Sequence, residues 1–250
     1  MKFNDFDAQM RVFETAHDHC VLPGLLMIAR LDGRNFTRLT KEVHQFEVPF
    51  DRQFRDYMIE TVKYLMTCGF RVRYGYTQSD EISLLFHLDE DSFQRKLRKY
   101  YSVLAAEASA KFSLLLGSIA CFDCRISQLP CQELVSDYFC WRQEDAHRNA
   151  LNSHCYWLLR KEGHSQRAAT ITLSGLSVAD KNELLFSYGI NFNLLPNWHK
   201  RGVGLYWETY KKTGFNPKTG ISTLTTRRRI KCSYDLPMKE EYKNFLRMDI

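Results

Sequence analysis

The order of apolar and polar positions along the chain predicts strands and helices in alternation. Leu25 to Leu31 is an apolar run interrupted only by Arg30, the length of a buried strand, and Pro23-Gly24 bounds it upstream. After Asp51, a residue suited to cap a helix, Phe54, Met58, Val62, Leu65 and Met66 recur at helical spacing, and Gly69 marks the end of that helix. Phe70 to Tyr76 and Ile82 to Phe86 then flank the polar turn Thr77 to Asp80, the pattern of a β-hairpin. A long helix is predicted next, capped by Asp91 or Ser92, with Phe93, Leu97, Tyr100, Leu104, Ala108 and Phe112 as its inner stripe and an end near Leu116. Ser118 to Phe122 predicts a fourth strand.

Strand, helix, strand, strand, helix, strand is the split βαβ order of ferredoxin-like folds. In that topology the first and third strands are antiparallel neighbours, so the C-terminal end of one meets the N-terminal end of the other. Asp32 and Asp80 occupy those two ends and become neighbours although far apart in sequence. Beyond Pro130 the chain turns more helical, with a helix from Gln132 to about Lys161 and another opened by Ser177-Val178-Ala179-Asp180 and ended by Gly189. Gly204 to Tyr210 and Thr223 to Cys232, joined through Gly214 to Gly220, predict a closing hairpin.

Composition narrows the class. With 250 residues, 44% of them hydrophobic, the chain can bury a substantial core. The first residues lack a basic start, and Val21 to Ala29 is too short and too broken by Pro23-Gly24 to span a bilayer, so a soluble cytoplasmic protein without a membrane partner is expected. Eight scattered cysteines suit reduced thiols, and Cys121-Phe122-Asp123-Cys124 lacks the second close pair of a zinc site. The net charge of +6 is modest, but Arg95 to Lys99, Lys200-Arg201, Lys211-Lys212 and Arg227 to Lys231 are local basic clusters, either solvated faces or a surface for a polyanion.

The chemistry concentrates in two acidic loops, Arg30-Leu31-Asp32-Gly33-Arg34-Asn35-Phe36 and Gln78-Ser79-Asp80-Glu81. Carboxylates at two strand ends, with a glycine that lets backbone come close, suit a pair of Mg²⁺ ions on a triphosphate. Polymerases, nucleotide cyclases and some nucleases all share that pairing. The chain has no Gly-x-x-x-x-Gly-Lys-Ser/Thr loop, which argues against a P-loop kinase or ATPase. Lys96 and Lys99 share a helical face and read either as surface charges or as cations reaching triphosphate oxygens near the acids. Trp157, Trp198 and Trp207 read as core or interface rather than base-stacking platforms, and His154 and His164 have no partner at ligand spacing.

Five segments carry a family likeness: Arg30 to Phe36, Tyr76 to Ser83, Phe122-Asp123-Cys124-Arg125, Trp141 to Asn149 and Ala179 to Phe186. In this order, between about Phe6 and Glu208, they resemble the tRNA-histidine guanylyltransferase family and its bacterial and archaeal relatives, the 3′-5′ (reverse) polymerases. The resemblance implies an α+β fold: a polymerase/cyclase-like palm with its ferredoxin-like core at about residues 22–125, and helical and hairpin elaboration over about 126–250 of a single catalytic domain. It implies that Asp32, the Gly33 carbonyl and Asp80 hold two Mg²⁺ ions, with Glu81 either supporting the metals or standing as a strand-end charge. Gly33, Arg34, Asn35, Phe36, Ser79, Asp80, Lys96, Lys99, Lys181 and Asn191 fall where the family binds nucleotide; Asp123, Arg125, His147 and Asn149 fall where it meets the tRNA 5′ end, although Asp123 and Arg125 also suit a structural ion pair.

The implied reaction activates a tRNA 5′-monophosphate with ATP or GTP and then lets the 3′-hydroxyl of an incoming NTP attack it, in a homotetramer. Three departures from the family pattern bear on the substrate. His147-Arg148-Asn149-Ala150 replaces the usual His-Ile-Asn-Asn, Ala146 stands where cysteine is common, and Val48 precedes Pro49 where lysine is frequent. They favour template-directed repair of 5′-truncated tRNA over addition of a single guanosine to tRNA-histidine. The competing classes are a nucleotide cyclase and an RNA-binding module with a decayed site; retention of both Asp32 and Asp80 argues against the latter.

Overall fold

Backbone pairing decides the architecture. The computed structural model describes residues 2–215, 217, 220 and 222–248. In chain order the elements are α1 (Phe3–Thr15), β1 (Leu26–Arg34), α2 (Phe36–Arg38) running into a π-helical turn (Leu39–Val43), α3 (Arg52–Leu65), β2 (Val72–Gln78), β3 (Glu81–Phe86) and α4 (Leu97–Leu116). There follow β4 (Cys121–Leu129), α5 (Gln132–Lys161), α6 (Gln166–Ser174), α7 (Val178–Ser187), α8 (Asn197–Arg201), β5 (Val203–Phe215), β6 (Ser222–Ser233) and α9 (Lys239–Met248). Six strands form one antiparallel sheet in the order β4-β1-β3-β2-β5-β6, whose first four members have the expected ferredoxin-like arrangement.

Both faces of the sheet are covered. On one face, Met58 and Val62 of α3 and Tyr100, Leu104, Ala108 and Phe112 of α4 pack on Met27, Ala29, Leu31, Leu84 and Phe86. Asp51 caps α3 as the sequence predicts, its carboxylate accepting from the Phe54 N–H at 2.8 Å and the Glu47 N–H at 2.9 Å. On the other face, Val135, Tyr138 and Phe139 of α5 and Tyr242 and Leu246 of α9 meet Leu26, Ile28, Tyr74, Tyr76 and Leu85. The buried hydroxyls of Tyr74 and Tyr242, 2.9 Å apart, satisfy each other and tie α9 to β2. The 30 residues of α5 extend about 45 Å, far enough for its second half to leave the sheet and build a separate cluster with α6 and α7 around Leu151, Cys155, Leu173 and Leu185.

Several boundaries differ from the sequence reading. The helix after the hairpin begins at Leu97, not at a cap on Asp91 or Ser92, because Phe93, Gln94 and Arg95 adopt positive φ. The cause is Arg95: its buried guanidinium donates to the carbonyls of Leu25 (2.6 Å), Leu88 (3.1 Å) and Glu90 (3.3 Å), and Phe93 is turned outward at 45% exposure. β4 covers Cys121–Leu129 rather than residues 118–122; it is an edge strand in which Phe122, Cys124 and Ile126 face the core while Asp123 and Arg125 alternate outward. Cys121 and Cys124 therefore point to opposite faces. The C-terminal hairpin is longer than expected and joins the sheet through β5 and β2. Asn216, Lys218 and Thr219 of its predicted connection lie outside the described residues. Among the described residues no helix is long and apolar enough to cross a membrane.

Gly75 shows how closely α3 is seated on β2: a Cβ there would lie 2.5 Å from Val62 Cγ1. Gly75→Ala is expected to destabilise the protein by roughly 1–3 kcal/mol through overpacking, read as a lowered urea midpoint at unchanged slope.

Candidate active site

The site is assembled by strand register. Asp32, near the end of β1, lies directly opposite Glu81 on β3 and Asp123 on β4, so three carboxylates form a row on the sheet face beneath α5. Asp80 joins them from the two-residue turn between β2 and β3. The Gly33 N–H donates to the Asp80 carbonyl at 3.2 Å, fixing the turn to the end of β1, and the Ser79 hydroxyl donates to the Asp80 carboxylate at 3.1 Å. Ser79 accepts a left-handed backbone (φ 53°) to make so tight a turn. Gly33 is a steric requirement, since a Cβ would sit 2.5 Å from the ring of the buried Phe36.

Beside this row opens a cavity of about 340 Å³, walled by the π-helical turn, the start of α3, the β2–β3 turn and the middle of α5. From α5 it receives Arg142, Asp145, Asn149, Ser153 and Trp157, residues three or four apart on one helical face. Arg142 is buried and bridges Glu81 to Asp145 (3.1 Å), and Asp145 also accepts from Arg148 (2.9 Å) and Asn149 (3.2 Å). Arg125 stands on the open side, 3.3 Å from Asp123 and 4.0 Å from Asp32.

Negative charge is in excess. Among the described residues lining the cavity, six carboxylates (Asp32, Glu47, Asp51, Asp80, Glu81 and Asp145) face three cations (Lys41, Arg55 and Arg142). Burial pushes the Asp80 carboxyl up to about 6, the charges of Asp32 and Glu81 adding to the shift against the lowering effect of its backbone and Ser79 hydrogen bonds. No three His, Cys, Asp or Glu side chains among the described residues close into a complete metal cage. The carboxylates of Asp32 and Asp80 are oxygen donors of the kind Mg²⁺ takes, an ion that keeps waters and phosphate oxygens in its remaining positions.

Other expected site residues are distributed differently. Lys96 and Lys99 are not brought to the acids: α4 starts beside Leu25, at the opposite end of β1 from Asp32, about 20 Å away at the rise of an extended strand. Lys96 pairs with Asp18 at 3.1 Å, and Lys99 lies over the Phe93 ring. Lys181 and Asn191 do not line the cavity; the Lys181 carbonyl accepts from the Cys155 thiol, and the Asn191 side chain caps Asn193 N–H at 3.0 Å. His147 turns its ring edge-on to Phe192, with its Nδ1 buried and unpartnered, and burial lowers its pKa. Phe36 is a core ring under the cavity floor, whereas Arg34 and Asn35 lie off its wall.

Trp157 and Trp198 line the cavity, Trp198 packing against the core as well, and His154 hydrogen-bonds His199 (3.3 Å), joining α5 to α8. Lys41 was not named from the sequence, Arg142 and Asp145 were quoted in the segment Trp141 to Asn149 without a role, and the two tryptophans were read as core or interface; the three- and four-residue spacing along α5 from Arg142 to Trp157 was the signal available for its members. The basic clusters also divide. Asp18 neutralises Arg98 and Lys96, Lys200 donates to the carbonyls of Phe192 and Asn193, Arg229 and Lys231 share Glu208, and Arg228 lies over the Trp207 ring, whereas Lys211, Lys212 and Arg227 are exposed.

Comparison with known proteins agrees with this geometry. The family model described as tRNAHis guanylyltransferase matches residues 7–130, and that of the Thg1 C-terminal domain matches residues 133–243. A probable tRNA(His) guanylyltransferase of Drosophila melanogaster is 32% identical over 74% of this chain and 68% of its own length; one of Mus musculus is 32% identical over 80% and 70%. Among solved structures, a bacterial tRNA(His) guanylyltransferase (Thg1)-like protein in complex with GTP aligns over 97% of this chain and 99% of its own, at 28% identity and a TM-score of 0.72. The tRNA(His) guanylyltransferase of Saccharomyces cerevisiae aligns over 82% and 93%, at 26% identity and a TM-score of 0.73. With both family models matched in order along one palm-like sheet, the chain belongs to the tRNAHis guanylyltransferase family and is a nucleotidyltransferase.

Proposed function

We propose that this enzyme adds guanosine to the 5′ end of tRNA, tRNA-histidine being its first candidate substrate, with ATP or GTP as the activating nucleotide. The observation that carries this reading is the meeting of Asp32 and Asp80 at the mouth of a nucleotide-sized cavity in a chain matched to the family along most of its length. The names of the relatives put tRNA-histidine ahead of 5′-end repair, reversing the preference drawn from the sequence departures. Repair of shortened tRNA stays as a second reading because of Arg148-Asn149-Ala150: Arg148 is committed to Asp145 in an ion pair that an apolar side chain there could not make. A homotetramer accompanies the proposal, supported by α1, which has no buried residue and exposes Phe3, Phe6, Met10 and Phe13.

Asp32 and Asp80, with the Gly33 carbonyl, would hold two Mg²⁺ ions, which when bound lower a hydroxyl pKa and neutralise phosphate charge. The remaining work falls to the chain. Arg142 holds Glu81 in place beside Asp32, and the same contact fixes α5 over the site. Trp157 and Trp198 give the cavity flat apolar faces for a base. Arg125, exposed at the rim within 4.0 Å of Asp32, is positioned to meet the phosphate of an RNA end. In-line placement of hydroxyl, phosphate and leaving group then needs no covalent enzyme intermediate.

Three outcomes are expected. Asp32→Ala and Asp80→Ala should each lower nucleotide addition on the order of a hundredfold or more while RNA binding in a filter assay is retained; unchanged addition rejects the assignment. Incubation with Mg²⁺, mixed NTPs and 5′-monophosphorylated tRNAs, intact or shortened, should yield a single added guanosine on tRNA-histidine; extensions copying the opposite strand of shortened tRNAs would support repair, and a cyclic nucleotide formed without RNA would contradict both.

The third concerns pH. Asp80 is raised from 3.8 to about 6 in the folded chain, so between these values the folded protein holds a proton that the unfolded chain has released. Its stabilising contribution is full below about pH 4 and lost as pH rises through about 6. In EDTA, Asp80→Asn should therefore be more stable than wild type at neutral pH, on the order of 1–3 kcal/mol, with the gap closing toward pH 4 in urea titrations.

A further inference from the structure

The three cations of the cavity are not equivalent. Arg142 is held by Glu81 and Asp145. Arg55 pairs with Asp56 at 2.7 Å and stacks on Trp198 and Tyr234, 4.6 and 5.1 Å from their ring centres. Lys41 makes neither an ion pair nor a hydrogen bond among the described residues, although it is half-buried in the cavity wall; its ammonium lies 5.5 Å from the centre of the Trp157 ring. Burial lowers its pKa, and the charges of Asp51 and Asp80 oppose that from beyond ion-pair distance. Asp51 instead accepts from the Glu47 and Phe54 N–H groups, one on each carboxylate oxygen.

The backbone holds Lys41 there. It sits within the π-helical turn Leu39–Val43, anchored by the buried Thr40, whose hydroxyl donates to the Phe36 carbonyl at 2.7 Å. A π-helical turn widens the helix and shifts the direction of its side chains, a departure associated with functional sites. A partly desolvated ammonium without an anion is unfavourable until a ligand supplies one.

We propose that Lys41 binds the phosphate tail of the nucleoside triphosphate in this cavity, as the cation that the π-helical turn presents on the wall shared with Asp80; the inference rests on the nucleotidyltransferase reading above. Asp32 and Asp80 would hold metal ions that neutralise phosphate charge, and the Lys41 ammonium adds a further positive charge for the same chain of phosphates. Lys41 selects triphosphate over monophosphate, since only the longer tail offers charge to both.

The test is calorimetric titration of the full-length protein with Mg²⁺ and either a non-hydrolysable GTP analogue or GMP, for wild type, Lys41→Met and Lys41→Arg. Lys41→Met is expected to weaken triphosphate binding roughly ten- to a hundredfold, the worth of one charge-assisted hydrogen bond, and to leave GMP binding within about twofold. Lys41→Arg, which keeps the charge, should stay within about threefold of wild type for both. Unchanged triphosphate affinity in Lys41→Met, equal weakening of both ligands, or loss in Lys41→Arg as large as in Lys41→Met overturns the role of Lys41 and leaves the nucleotidyltransferase reading standing. Failure of the wild-type protein to bind the triphosphate overturns both.

Discussion

The antiparallel register of β1 against β3 is the constraint on which the rest of the molecule depends. It places Asp32 opposite Glu81 and lets the Gly33 N–H reach the Asp80 carbonyl. A slip by one residue would turn Asp32 toward α4 and Leu31 toward α5, exchanging a carboxylate for a core side chain on both faces at once. Burial of Met27, Ala29 and Leu31 on one side and Leu26 and Ile28 on the other makes that exchange prohibitive. The hydrophobic core thus specifies the acidic site, and two aspartates distant in sequence need no direct attraction to be held together.

They in fact repel. Glu81, Asp32 and Asp123 in one row, with Asp80 above it, would be an unfavourable arrangement for a sheet with no other purpose. Arg142 and Arg125 relieve the two ends of the row, on Glu81 and Asp123, while burial raises the pKa of Asp80 and the charges of Asp32 and Glu81 add to that shift. Local conflict of this kind, in an otherwise consistent fold, marks a place kept for a ligand of opposite sign.

Legibility in the sequence followed the strength of periodic signals. The apolar run of β1 was readable because both of its faces are buried, and the inner stripe of α4 from Tyr100 to Phe112 because burial on one face writes a regular pattern. The start of α4 was not, because Arg95 is charged yet buried on three carbonyls, a tertiary arrangement that overrides the local capping residues. β4 was cut short since half of an edge strand is polar. The acid pair was readable from topology alone. That Lys96 and Lys99 lie away from the acids was not readable, because a shared helical face says nothing about which end of the sheet the helix begins at, and Lys41 was hidden because a π-helical turn breaks the 3.6-residue period on which helical faces are read.

What converts an acidic sheet end into a pocket is α5. Its first half is bound to the sheet by Val135, Tyr138 and Phe139, its second half to α6 and α7, and Arg142 sits at the changeover, where the helix leaves the sheet. A buried arginine between two carboxylates adds little net stability compared with an apolar contact of the same size, but it tolerates only one placement of the helix. That placement sets Asn149, Ser153 and Trp157 at fixed heights above Asp32 and Asp80. Site geometry therefore reduces to two registers, one between strands and one between a helix and a strand, and the second is held by charge because the acids that need it are already there.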